Sequence, residues 1–225
     1  MQIEGLPWPP TASTYYLATD EHRPVCQGDV FSDVPFLKGK RGNRLQDAPN
    51  TVYDRRHVAV MGYTCDIYNE RGTLNKVQVV APVVEAERIG IPGNWAGAFN
   101  FAPLPDLLGD GKMYAVDLTV MSNIDAFYLP VGNRVRSLSE IGWAAFRQRI
   151  ELSATRAIHH IDDLRRAGED VWNELSLWEA WNRSGRPPSE FQLWLDEPQT
   201  SFGGFTRREL LHRGIKQEIF ADLPR

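Results

Sequence analysis

Cysteine is nearly absent from this chain, with two residues, Cys26 and Cys65, among 225. Two thiols cannot staple a disulfide framework, so the fold must rest on its own core. Long apolar runs are missing as well. Nothing approaches the roughly 18–20 apolar residues of a membrane span, so no membrane partner is expected. The opening Met1-Gln2-Ile3-Glu4-Gly5 carries no basic segment and no apolar stretch behind it, which predicts a cytoplasmic protein without a secretory leader. A surplus of positive charge is also lacking: 25 Lys and Arg stand against 29 Asp and Glu, a net charge of −4. Domains that coat nucleic acid without selectivity are strongly basic, so that class is excluded, while a local basic patch is not. What is present is a 42% hydrophobic fraction, enough for a real core and too much for a mostly disordered chain.

Residues 1–23, rich in Pro, Thr, Ser and Tyr, read as an extended N-terminal arm. Strands are predicted at residues 25–31, 57–63 and 77–84, which are β-branched or apolar runs of strand length. Residues 37–54 are polar and read as a long connection. Further strands are expected at 114–121, where Tyr114, Val116, Leu118 and Val120 alternate with Ala115, Asp117 and Thr119, and at 126–131. Short strands with few intervening helices favour a small antiparallel barrel over a βαβ sheet. Ser137-Leu138-Ser139-Glu140 has the spacing of a capping box. Behind it Trp143, Phe146, Ile150, Ala154, Ala157, Ile161 and Leu164 recur every three or four residues, predicting one helix to about Arg166, stopped at Gly168. A second capping box, Thr206-Arg207-Arg208-Glu209, opens another helix. The expected organisation is an arm (1–23), a barrel with its helix (24–168) and a helical, Trp-rich extension (169–225). Trp172, Trp178, Trp181 and Trp194 of that extension either pack on the parent domain or present a partner face.

Charge is unevenly spread. Between Leu37 and His57, Lys38, Lys40, Arg41, Arg44, Arg55 and Arg56 face Asp47 and Asp54, a local charge of +4 that leaves −8 on the remainder. A cationic loop beside an acidic body either captures a phosphate-bearing ligand or merely solvates the surface. The sequence has no Walker or dinucleotide loop, no Gly-x-Ser-x-Gly elbow and no His-Glu-x-x-His, so no cofactor is expected. His159 and Asp163 are four apart on one helical face, but no third ligand accompanies them, and no metal is expected. Cys65 would need a nearby base to act as a nucleophile. His57 lies about 26 Å away along an extended strand, so the thiol reads as a small core residue.

The order Gln27-Gly28-Asp29-Val30-Phe31, basic loop, Arg56-His57-Val58-Ala59-Val60 and Val79-Val80-Ala81-Pro82-Val83 resembles the MazF/PemK family of plasmid-maintenance growth inhibitors. Arg134-Val135-Arg136-Ser137-Leu138 is similar to that family's closing strand and helix entry, and Thr64-Cys65-Asp66 to a strand ending in its larger members. The resemblance covers residues 24–166. It implies an α+β, mainly β fold, an SH3-like antiparallel barrel with a long C-terminal amphipathic helix. It also implies a homodimer acting as a toxin, a metal-independent endoribonuclease on single-stranded RNA, checked by an antitoxin-like inhibitor. On that reading Arg56 stabilises charge on the phosphorane, His57 is a substitute base, and Lys38, Lys40, Arg41, Arg44 and Arg55 hold phosphates. The family's catalytic hydroxyl falls on Val84, which has none. The alternatives are a PemK-like barrel that binds RNA or a protein without cleaving, and an assembly protein whose tail mediates oligomerisation.

Overall fold

The computed structural model describes residues 11–17, 23–40, 50–69, 73–91, 95, 98–155 and 161–223. A short helix α1 (Ala12–Tyr15) leads into β1 (Tyr16–Leu17), then β2 (Val30–Lys40), β3 (Asn50–Val60), the single turn α2 (Thr64–Ile67) and β4 (Val77–Glu85). There follow β5 (Phe101–Pro105), β6 (Met113–Asp117), β7 (Ser122–Asp125) and β8 (Arg134–Leu138). The helices α3 (Glu140–Thr155), α4 (Ile161–Arg183), α5 (Pro188–Leu195), α6 (Arg207–His212) and α7 (Gln217–Ala221) complete the chain. The fold is α+β. Its strands form one antiparallel, curled half-barrel sheet in the order β1-β8-β2-β3-β4-β6-β5, with β7 beside β4.

Both faces of the sheet are covered, which explains the unbroken apolar runs of β3 and β4. Side chains alternate along a strand, so Val58 and Val60 enter one core with Phe31, Val34, Ile67 and Val80. Ala59 and Ala81 enter the other, with Trp143, Ala144, Ala145 and Phe146 of α3. A third cluster gathers Leu177, Trp178, Trp181, Phe191, Leu195, Leu210 and Leu211. Of the tail tryptophans, Trp178 and Trp181 are therefore core. The Thr206 box forms as expected, with the Glu209 amide donating to Thr206 Oγ1 at 3.1 Å and the Thr206 amide to Glu209 Oε2 at 2.8 Å.

Several expectations need correction. The first strand starts at Val30, because Gly28 turns the chain at φ +86°, and a Cβ there would lie 2.2 Å from the Leu138 side chain. Within the supposed connection 37–54, residues 37–40 and 50–54 are the distal half of a β2–β3 hairpin, paired from Pro35↔Arg55 to Lys40↔Asn50, and 41–49 lie outside the described residues. Neighbouring strands pair with this hairpin only near its base, β8 at Val30 and Phe31 and β4 at 58–60, so its distal half needs no apolar alternation. The strand predicted at 126–131 is instead β7, followed by a 3-10 turn whose Phe127 amide donates to Asp125 Oδ1 at 2.9 Å. Likewise β6 ends at Asp117, whose carboxylate draws in the Thr119 amide and hydroxyl.

Another correction concerns the cap of α3. Ser139 holds it, its Oγ accepting from the Gly142 amide at 2.9 Å, while Ser137 is buried in β8. The predicted single helix is in turn two, α3 and α4, packed on each other. Gly168 sits inside α4, where a Cβ would fall 2.5 Å from the Trp143 ring. Glycine there permits close helix approach; it does not stop the helix. The arm is also partly structured: Tyr15 is fully buried, and Tyr16 and Leu17 pair with Leu138 and Ser137.

Candidate functional site

Three residues of the expected site stand in a row on β3. Arg55 is ion-paired with Asp33, itself at φ +57° where β2 bulges opposite β3. The pair is open to water, at 61% and 58% exposure, so it contributes about 0–1 kcal/mol to stability. Arg56 is held by Asp54, Nη2 to Oδ2 at 2.6 Å and Nε to Oδ2 at 2.9 Å. His57 is half-buried, and burial holds its imidazole below the usual histidine range, so it is neutral at pH 7. Lys38 and Lys40 lie on β2 at register positions opposite Val52 and Asn50. Arg41, Arg44 and His159 lie outside the described residues. Asp163 pairs with Arg166 at 3.4 Å.

Val84 does not face β3 at all. After Pro82, strand β4 leaves β3 and pairs with β6, setting Val84 opposite Ala115 and against the apolar cluster of Ala86, Ile91 and Trp95. Arg56 thus has a carboxylate beside it and no hydroxyl across from it. A neutral imidazole next to a carboxylate-paired guanidinium can accept a proton or a hydrogen bond. It lacks the cation-plus-hydroxyl pair that the family resemblance implies for phosphorane chemistry.

A second charged cluster is buried. Asp29, fully inaccessible, accepts from the Cys26 amide at 3.0 Å and from Arg134 Nη1 at 3.2 Å. Arg134 Nη2 donates to the Arg23 carbonyl at 2.6 Å, and Arg23 Nη1 bridges to Glu179 of α4 at 3.0 Å. Burial pushes Asp29 upward while Arg134 and Arg23 pull it back. The aspartate of the Gly28-Asp29 motif therefore ties the start of β2 to β8 and α4. Burial also pushes the Cys26 thiol up to about 12, which leaves it protonated and inert. Cys65 lies in α2, one turn beyond the end of β3.

Between sheet and helices lies a cleft of about 560 Å³, lined by Gln27, Tyr63, Tyr68, Trp143, Arg147 and Trp178 among others. The Arg147 guanidinium carbon stands 4.4 Å from the centroid of Tyr63 and 5.7 Å from that of Trp143. Gln27 spends its amide N–H on the Met61 carbonyl at 2.9 Å, and its Oε1 has no hydrogen-bond partner. The indole N–H of Trp178 has none either. A buried polar group left unpaired costs about 1–3 kcal/mol. Charge in the cleft is otherwise matched: Arg208 meets Glu174 at 2.6 Å and Asp196 at 2.7 Å, and Arg147 meets Glu151 at 3.3 Å.

Sequence reasoning does not find this cleft. Its residues come from the Gly28 turn, the end of β3, and α3, α4, α5 and α6, and they share no motif. The tryptophans were its one visible sign. No known family model matches the chain, and no curated protein does. Among the described residues, no helix is long and apolar enough to cross a membrane, and no group of three His, Cys, Asp or Glu is placed to hold a metal.

Proposed function

We propose that this chain is a PemK-like, SH3-like barrel protein that binds single-stranded RNA along its β2–β3 hairpin and does not cleave it. The observation that carries the reading is the hairpin itself. Its distal half pairs with no third strand among the described residues, and segment 37–57 holds a +4 charge in a chain of −4. A two-stranded cationic ribbon that no third described strand pairs can run beside a phosphate backbone without burying a charge. Lys38, Lys40, Arg41 and Arg44 are the phosphate contacts, with Arg55 and Arg56 nearer the base. The pairing of Arg56 with Asp54 and the packing of half-buried Val84 against an apolar cluster support binding over cleavage.

Filter binding of a labelled single-stranded RNA in EDTA tests this, with cleavage scored on the same samples. Wild type is expected to retain RNA and leave it intact, and K38E/K40E/R41E/R44E to lose at least tenfold in affinity. Undiminished binding by that variant would remove the ribbon reading. Cutting by wild type that is abolished in R56A would replace it with the growth-inhibiting endoribonuclease. The homodimer and the antitoxin-like inhibitor belong to that second outcome, and light scattering of the purified chain tests the dimer.

A further inference from the structure

We infer that Phe127 and Tyr128, on the turn between β7 and β8, form a stacking platform for nucleobases of the single strand whose phosphates lie on the ribbon. The inference rests on the ribbon reading and adds what cations alone lack, a seat for the nucleobases. Phe127 is 82% exposed, more than any other large hydrophobic side chain among the described residues. Tyr128 beside it is also exposed, the two ring centroids 5.6 Å apart and edge to face. The turn holds these rings out without using them. The Ala126 amide donates to the Lys76 carbonyl at 2.8 Å, the Leu129 amide returns to the Ala126 carbonyl at 2.9 Å, and Asp125 takes the Phe127 amide. Leu129 is the anchor, buried in the cluster of Val34, Phe36 and Val58. Backbone bonds and one leucine fix the turn, so little of it is left to order when a ligand arrives.

The same core sets the platform beside the root of the hairpin. Arg56 pairs opposite Val34 and lies two residues from Val58, so it shares the sheet face of that cluster, the face Leu129 joins. Ser32 Oγ donates to the Asn133 carbonyl at 3.2 Å, tying the far end of the β7–β8 connection to β2, next to the Asp33–Arg55 pair. Arg55 and Arg56 thus stand on one side of the turn, and the exposed Lys76 at its own backbone contact.

The chemistry of the turn selects its occupant. Exposed Asp125 repels a phosphate, so the sugar–phosphate chain keeps to the cations and the nucleobase is the part that meets the rings. Every nucleobase has a π-face that stacks on an aromatic ring whatever the sequence. Even wholly bared, two such rings offer no more than about 500 Å². That falls below the roughly 800 Å² per partner of a stable protein interface and suits one or two nucleobases.

The test is filter binding to the full chain of two strands equal in length and charge, a single-stranded RNA and its abasic counterpart. Wild type is expected to prefer the base-bearing strand. F127A should lose about tenfold in affinity for that strand and nothing for the abasic one. F127W, which keeps a ring, should retain the preference, and F127L, apolar without a π-face, should not. The salt slope of F127A should match wild type, because no phosphate contact is removed. Thermal melts check the fold, to which so exposed a ring contributes little. RNA binding that is unmoved in both F127A and F127A/Y128A would overturn the inference and leave the ribbon standing. Equal losses on the two strands would overturn it as well. Unchanged affinity together with the break-up of an oligomer in F127A would give the rings to a second copy of the chain instead. A wild type that binds neither strand would overturn platform and ribbon together.

Discussion

The same two side chains, arginine and aspartate, meet at the hairpin and in the interior, with opposite consequences. At the hairpin, Asp33 and Arg55 pair in water, where Coulomb attraction is weak and salt competes. In the interior, Arg134 and Asp29 meet at 4% and 0% side-chain exposure, where neither charge has water to fall back on. An exposed pair can be exchanged for a phosphate at little cost. A buried pair cannot be separated without leaving a charge stranded. Burial, more than residue type, thus divides the charges that hold the fold from those that stay available to a ligand.

The largest effect expected from breaking this comparison is at the buried pair. Asp29→Ala strands Arg134 and should cost about 3–5 kcal/mol in urea unfolding, enough to leave little folded protein. Asp33→Ala, which frees Arg55 in the same way, should change stability by no more than about 1 kcal/mol. Equal losses in the two variants would contradict the distinction. A middle-sized effect is expected at Gly168→Ala. Contact with Trp143 costs about 1–3 kcal/mol by overpacking, and alanine returns about 1 kcal/mol in helix propensity, so the net is a loss of roughly 1 kcal/mol. A helix-stopping glycine would also lose on replacement, but without the change in Trp143 emission that contact predicts.

The smallest effect is the titration of His57. Its folded pKa is lowered by burial, so the unfolded chain takes up a proton first as pH falls through 6.5, and stability drops from there down to the folded value. His57→Gln should flatten that part of the stability–pH curve without altering it above pH 7.

Much of the sheet was legible from sequence, and for a specific reason. Strands β3 and β4 announce themselves because Val58-Ala59-Val60 and Val79-Val80-Ala81 serve two cores at once. The distal hairpin reads as a connection because its strands pair chiefly with each other and carry charge in place of alternation. Helices α3 and α4 read as one because apolar residues keep a spacing of three or four from Trp143 to Leu164, whereas the fold lays α4 back on α3, with the Trp143 and Trp172 rings edge to face 6.3 Å apart. Of the site, Arg55, Arg56 and His57 were found as neighbours on one strand, and nothing in the spacing revealed that aspartates engage both arginines. The Gly28-Asp29 motif read as a strand start; only the fold shows Arg134, over a hundred residues on, as the partner of Asp29. The cleft stayed invisible because its aromatic residues meet only once α4 has folded back on α3.

The most direct test of the account is the salt dependence of single-stranded RNA binding, measured for wild type and for K38E/K40E/R41E/R44E. Each phosphate contact contributes about 0.7 to the slope of log affinity against log salt on a single strand, so removing four cations should flatten it by roughly 3. D33A, which leaves Arg55 free, should bind at least as tightly as wild type. A slope unchanged in the quadruple variant would place the RNA elsewhere and contradict the ribbon as its seat.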